Sequence, residues 1–580
     1  MLLTASGCLA ENSPVAALRE QILQRRSPPL TNLDVRVHLN VRDFGAVPND
    51  GKDDRSAVAA AVAKARSMEG PVQIDFEPGT YDFMAATPDF SYLDRNNAAI
   101  SLMNCTNLIV DGHGAEILIH RQDVSFAAVN GSTSQIIRNF SVDYDPLPFS
   151  QGTVRSVDTA DGSFVFELQS GFPTPDGPFF KSCNSWGMLK DIKHPGRLKA
   201  DCPNVFFYKS VQSLGGNGFR FKLASKMQIS NFTAGDAFAV VGRSASIGRY
   251  LNSDNITFDH ITAYACPGPL YPGVGTSRLN ILNCRAVLKD SRLLVSGADG
   301  ILCLDARIGP WVENCDFEGL SDDCFNICTA TIYVLNQLSP VEMRVAARGG
   351  IQPGDPLIFF NPQEGRIIRE TSAKSFSGDI LVLNDPVPML SVAPPGTPMK
   401  EVGWKKYDQV YNLNTAGNYF VYRNNHMHDG RRFGFFTKAG FGLVTNNRFE
   451  GLSDQAIRIA NDPQWSKGFA AGNVILQSNQ ISNCGYAGGE PCAVITGLKL
   501  DGVMTSPIQK NIFLLDNVFH SVSGPAMKVS GVSGLTAEGN TFDSGTASGP
   551  LVTVQYSDHI VWTNNFDQSR VEFRCGEDDK

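Results

Sequence analysis

The sequence predicts an all-β protein. The architecture is a right-handed parallel β-helix, a solenoid, with an N-terminal capping helix and two inserted small β-barrel-like subdomains. Three observations predict it. A short apolar run followed by Asn and a large apolar residue recurs along the chain. A strand–turn–helix pattern stands near the N-terminus in "VRDFGAVPNDGKDDRSAVAAAVAKA". Two stretches of hairpin-like alternation interrupt the repeat.

The repeat is seen in "YRNNHM" (Asn425), "VTNNRF" (Asn447), "LQSNQI" (Asn479), "LLDNVF" (Asn517), "AEGNTF" (Asn540) and "WTNNF" (Asn564). The intervals are 22, 32, 38, 23 and 24 residues. "LNILNC" (Asn283) and "WVENCDF" (Asn314) read as the same unit. Each unit is a short strand, a polar turn and a second short strand. Periods near 22 to 24 residues suit one coil of a β-helix, and the longer intervals add loops. A single coil cannot bury its inner face, so stacking must build the core. Each Asn is expected to take left-handed backbone geometry at a bend and to hydrogen-bond the Asn of the next coil. A β-propeller would need longer, more uniform periods.

The chain divides as follows. Residues 1–40 are expected to be an unstructured leader or an N-terminal extension. Residues 41–149 hold the cap and first coils, with a helix from about Asp54 to Ala65 shielding the open end. Residues 150–230 form a β-rich insert, 231–329 further coils, 330–405 a second insert and 406–570 the last coils. Residues 571–580 form an acidic tail.

Composition excludes several classes. The chain has 580 residues, 42% hydrophobic and 19% charged, with net charge −8. No basic stripe recommends nucleic acid as a partner. No apolar run reaches the ~18 residues of a membrane span. The 13 cysteines are odd in number and irregular in spacing, which is no disulfide scaffold. Cys484 and Cys492 could pair, as could Cys183 and Cys202. Cys324 and Cys328 lack a second ligand pair at zinc spacing. No metal or cofactor is expected. Cys8, in "MLLTASGCLA", is a candidate lipidation site or part of a plain leader. Sequons at Asn104, Asn139, Asn231 and Asn255 are compatible with export.

The chemistry centres on Asp299 in "GADG" and on Asp322 and Asp323 in "SDDC". Asp299 and Asp322 are 23 residues apart, one coil, so they are expected at equivalent positions on stacked coils, ~4.8 Å apart. A local bend would bring Asp323 to the same patch. Clustered like charges raise at least one pKa. Glycoside hydrolysis needs that split: one carboxyl to give a proton, another to activate water. Nearby Trp311 is a candidate sugar platform. The residues alone leave three readings open: a glycosidase, a calcium-dependent polysaccharide lyase and a non-catalytic glycan-binding β-helix.

Resemblance narrows these. The N-terminal stretch resembles pectin-lyase-like β-helix proteins. "GADGI" and "SDDCFNI" resemble the acids of β-helical glycosidases such as the family 28 polygalacturonases. The Gly-His-Gly and Arg-x-Lys of that family do not follow Asp323 here. From about Val41 to Phe566 the chain more closely resembles glycoside hydrolase family 110, exo-acting α-1,3-galactosidases. The shared stretches include "RNFSVDYDPLPFSQGTV", "ITAYACPGPLY", "EGLSDDCFNI", "GRRFGFFTKAGFGLVTNNRFEG" and "IRIANDPQW". The resemblance implies inverting, metal-independent hydrolysis of a terminal α-linked galactose, with Asp299, Asp322 and Asp323 as essential acids. It implies Asn326, Arg431, Asp462 and Trp465 as substrate contacts. By analogy Asp322 would be the general acid, with Asp299 and Asp323 holding water and carboxyls ~6.5–9.5 Å apart. Cys328 departs from the family pattern, as do Ser466 and Lys467 after Trp465. The expected partner is a galactose-terminated glycan. A homo-oligomer is compatible with the sequence, and the expected location is secreted, periplasmic or lipid-anchored.

Overall fold

Strands one coil apart pair in parallel along the whole chain. A computed structural model describes residues 13–84, 98–244, 248–346, 350–398, 402–521, 524–544, 549–566 and 570–574. Cys8 and the end of the acidic tail lie outside the described residues. The solenoid has three faces. One is a 12-stranded sheet running from Ala98–Met103 to Val571–Arg574, one strand per coil. The other two lie on either side of a bend and are joined by strands that turn the corner, such as Thr106–Ile119.

Inside, like side chains stack on like. Phe325 lies on Phe435 (5.2 Å between ring centroids) and Phe519 on Phe542 (5.2 Å). Register fixes this, since Asn326 pairs with Phe436 and Phe519 with Phe542. One continuous apolar core results, which no coil could build alone.

The asparagine repeat is present, but its two expected jobs belong to different residues. Asn425, Asn447, Asn479, Asn517 and Asn540 are buried and form a ladder. Each donates its side-chain nitrogen to the next oxygen at 2.9–3.0 Å, ending on Asn565 rather than Asn564. The left-handed position is the residue just before: Asn424 (φ 56°), Asn446 (φ 56°), Ser478 (φ 57°), Asp516 (φ 54°) and Asn564 (φ 53°). Asn283 and Asn314 are of this second kind, with φ 52° and 56°. Cys284 and Cys315 fill the ladder slots after them, and Cys315 N donates to Asn425 Oδ1 (3.0 Å).

Of the two expectations for residues 1–40, helix α1 (Pro14–Arg26) fits an N-terminal extension, not an unstructured leader. Ser13 caps it, accepting from Ala16 N (3.1 Å), and Pro14 starts it. Val15 and Ile22 pack on Leu282, Trp311, Val421, Leu443, Ile475 and Leu515, across several coils. Arg26 is fully buried and donates to Asn280 Oδ1 (2.6 Å) and Leu279 O (3.2 Å). Helix α2 (Arg55–Arg66) buries Ala57, Val58, Ala61, Val62 and Ala65 against the first coils.

The two inserts are closed antiparallel barrels. The first runs from Phe149–Asp158 to Ala237–Val241, around a cluster of phenylalanines. The second runs from Ile332–Ser339 to Gln409–Asn412. Cys183 and Cys202 are not joined; Cys202 packs in the first barrel. Nor are Cys484 and Cys492, whose link is a hydrogen bond from Cys492 Sγ to Cys484 O (3.3 Å). No described helix is long and apolar enough to cross a membrane.

Candidate active site

One corner of the solenoid collects the acids. Each sits in the turn before a strand of the 12-stranded sheet: Asp299 before Ile301–Leu304, Asp322 and Asp323 before Phe325–Cys328. Register corrects the expected equivalence by one residue. Ile301 pairs with Phe325, so the position over Asp299 is Asp323, and Gly300 N donates to Asp323 O (2.8 Å). Asp322 joins from the side. An oxygen of each carboxyl lies within 4.8 Å of the others. That is tighter than the expected ~6.5–9.5 Å. The glycines of "GADG" are needed for the approach. A Cβ on Gly297 would meet Gly242 O at 2.4 Å, and one on Gly300 would meet Cys324 O at 2.5 Å.

The next coil carries the counter-charges. Asn326 pairs with Phe436, which puts Arg432 over Asp322. Arg432 Nη1 donates to Asp322 Oδ1 (3.3 Å), and its Nε lies 3.5 Å from Asp323 Oδ1. Arg431 Nη1 donates to Ser321 O (2.6 Å) and lies 3.3 Å from Asp322 Oδ1. Arg243, at the exit of the first barrel, donates to Asp322 Oδ2 (2.9 Å) and Gly297 O (2.8 Å). The ring of Trp186, also from the first barrel, lies 5.5 Å from the guanidinium carbons of both Arg243 and Arg431. Asn326 donates to Asp323 Oδ2 (2.9 Å) and accepts from the buried Lys438 Nζ (2.9 Å).

These contacts split the three acids. Burial works to raise Asp322, but Arg431, Arg432 and Arg243 outweigh it and hold that carboxyl below its ordinary range. Burial raises Asp299 far above its ordinary value, helped by the charges of Asp322 and Asp323. Asp323 is raised by burial and by Asp322, against the pull of Arg432. Burial pushes Lys438 down to about 8. Lys467 feels the charge of both Asp299 and Asp323. Of the three, then, Asp299 most favours its protonated form and Asp322 is the one most held as an anion. Three close carboxyls could in principle hold a cation. Here both oxygens of Asp322 already face guanidinium groups, which disfavours a second positive charge.

The other candidates scatter. Asn326 and Arg431 are at the acids, as described. Asp462 and Trp465 lie on the turn that also carries Lys467, with Trp465 N and Lys467 N both donating to Asp462 O (3.1 Å). Trp465 is 69% exposed. Trp311 is 5% exposed beneath α1, its ring 5.8 Å from the Arg26 guanidinium carbon and its Nε1 donating to Glu313 (2.7 Å). It cannot be a sugar platform. Sequence reasoning missed Arg243, Arg432, Lys438, Lys467 and Trp186. Only Arg432 carried a usable signal, since "GRRF" lies one coil beyond "SDDC" once the second barrel is excised.

No family model matches this chain. The chain is similar to curated α-1,3-galactosidases over most of its length. It is 22% identical over 562 residues to alpha-1,3-galactosidase A of Streptomyces avermitilis, covering 87% of each chain. It is 22% identical over 573 residues to alpha-1,3-galactosidase B of Bacteroides thetaiotaomicron, covering 91% of this chain and 90% of the other. Among solved structures, an exopolygalacturonase from Thermotoga maritima overlaps 95% of this chain and 96% of its own. Its TM-score is 0.44 and its identity 11%, which adds nothing to the strand pairing above.

Proposed function

We propose that the chain is a glycosidase that releases terminal α-linked galactose from glycans by transfer to water, with inversion. The observation that carries this is the split trio. A neutral carboxyl (Asp299), a carboxyl with raised pKa (Asp323) and an anion fixed by guanidinium groups (Asp322) share one rim. The similarity to α-1,3-galactosidases supports the sugar and linkage.

The roles follow from the electrostatics and differ from those expected by analogy. Asp299 gives its proton to the glycosidic oxygen as the bond from that oxygen to C1 breaks. Asp323 takes a proton from the water whose oxygen bonds to C1. Asp322 stays ionised and stabilises the cationic character at C1. The proton gained by Asp323 returns to Asp299 over the short gap between them, which resets the site. The nearest-oxygen spacing within 4.8 Å does not itself call for inversion; what favours it over a covalent intermediate is the state of the carboxylates. Asp322 has both oxygens engaged by arginine and presents none to bond C1, and Asp323, 3% exposed, is suited to take a proton from a water rather than to reach the sugar itself.

The test is a panel of nitrophenyl glycosides and galactose-terminated oligosaccharides, with NMR of the first product. Release of β-galactose from an α-1,3-linked terminus is expected. α-Galactose as first product, an unsaturated sugar or cleavage confined to internal bonds would each overturn a stated part of the reading.

A further inference from the structure

A second cluster of chemically capable groups lies on the outer surface, apart from the three acids. We propose that Asp316, His426 and His428 form a binding site for a divalent transition ion of the zinc class. His426 and His428 are two residues apart on the strand His426–Gly430, so both side chains leave the same face. Asp316 is the strand partner of His426 on the coil below. The two imidazoles stack, with centroids 4.0 Å apart and planes at 16°.

Both rings aim at one oxygen. His426 Nδ1 lies 3.3 Å, and His428 Nε2 3.2 Å, from Asp316 Oδ1. Zinc sits ~2.0–2.2 Å from such ligands, and tetrahedral angles then separate neighbouring ligand atoms by ~3.3–3.5 Å. Those two separations fit that spacing; the rings stack at 16°, so their in-plane lone pairs run nearly parallel, and one ring must turn about its Cβ–Cγ bond for both to meet a single ion. The rear of each ring is also dressed as a ligand would be. His428 Nδ1 meets Asp429 Oδ2 at 3.0 Å, which turns its Nε2 toward Asp316. A carboxylate behind a ligating imidazole fixes the tautomer and strengthens the ligand. His426 Nε2 has no hydrogen-bond partner and lies 3.9 Å from Glu450 Oε2, a second such carboxylate.

Three arginines border the cluster: Arg197 pairs with Asp429, Arg448 with Glu450, and Arg285 reaches Asp316 Oδ2 (3.5 Å), which leaves Oδ1 to the imidazoles. The three ligand side chains are 16–34% exposed, so solvent can supply the ion and a fourth ligand. The strand runs on into Arg431 and Arg432, and Arg197 belongs to the first barrel. A bound ion would therefore brace the insert against the corner that holds Asp322.

The experiment titrates chelator-treated full-length protein with Zn²⁺ by calorimetry, and with Co²⁺ by visible absorption. About one equivalent of Zn²⁺ is expected, with strong Co²⁺ bands of four- or five-coordinate nitrogen-containing geometry. Asp316→Asn, His426→Gln and His428→Gln should each weaken binding by about 10-fold or more, with circular dichroism showing the fold retained. Asp299→Asn should bind as the parent does. Absence of saturable Zn²⁺ uptake, a weak octahedral Co²⁺ spectrum, unchanged affinity in folded histidine variants or loss of binding in Asp299→Asn would overturn the proposal. The Co²⁺ spectrum of the parent decides the matter even if a variant does not fold.

Discussion

Asp322 and Asp323 are adjacent in sequence, yet their carboxyl pKa values are pushed in opposite directions. The cause is one arginine pair on the next coil and one arginine from the first barrel. Removing a cation should therefore move the acid limb of the rate profile. The base must be ionised to work, and Arg432 pulls the Asp323 pKa down. Arg432→Gln is expected to shift the acidic limb of kcat/KM toward higher pH, and the alkaline limb, set by Asp299, to move the same way by less, since Arg432 interacts more weakly with Asp299 than with Asp323. An unmoved acidic limb would show that Asp323 is not the base. The pattern "GADG…SDDC" identified the three acids from sequence, because period and chemistry coincide there. It misplaced the equivalence by one residue, because the coil from Ile301 to Phe325 is 24 residues long whereas Asp299 and Asp322 are 23 apart. Arg243 could not be found at all: nothing in the sequence says where an inserted barrel re-enters the coil.

At the scale of the element, the asparagine ladder and α1 carry the testable content. A ladder Asn is buried and spans two coils, whereas the preceding residue only needs a left-handed backbone. Asn479→Ala leaves buried partners unsatisfied, and about 1–3 kcal/mol of stability should be lost per broken link. Asn446→Gly, which suits φ 56°, should cost well under that. Urea titrations of the two variants compare them directly, and equal losses would refute the division of labour. The repeat was legible as Asn-x-apolar, but two asparagines in a row, as in "RNN" and "TNN", hid which did which job. Helix α1 was missed although Val15, Leu18 and Ile22 have helical spacing and Ser13-Pro14 is a start signal. Its weakly amphipathic, charge-rich sequence and its separation along the chain from the coils it covers concealed it. That omission made Trp311 look like an open platform. Deleting the chain through Arg26 should expose Trp311 and the stripe with Leu443 and Ile475. A red-shifted tryptophan emission and concentration-dependent association are expected. Unchanged emission would mean that α1 does not cover this surface.

For the whole molecule, the solenoid is a device for bringing distant residues to one rim. Residues 243, 299, 322 and 432 meet because successive coils stack and because two barrels leave the stack without breaking its register. The central claim is that Asp299 is the proton donor at that rim, with Asp323 the base. The dependence of rate on the leaving group tests it most directly. A donor is dispensable when the leaving group departs without a proton, and a base is not. Asp299→Asn should lose about 10²-fold or more on an oligosaccharide yet recover most of its rate on dinitrophenyl α-galactoside. Asp323→Asn should be slow on both. Recovery in Asp322→Asn with none in Asp299→Asn would contradict the account and make Asp322 the acid.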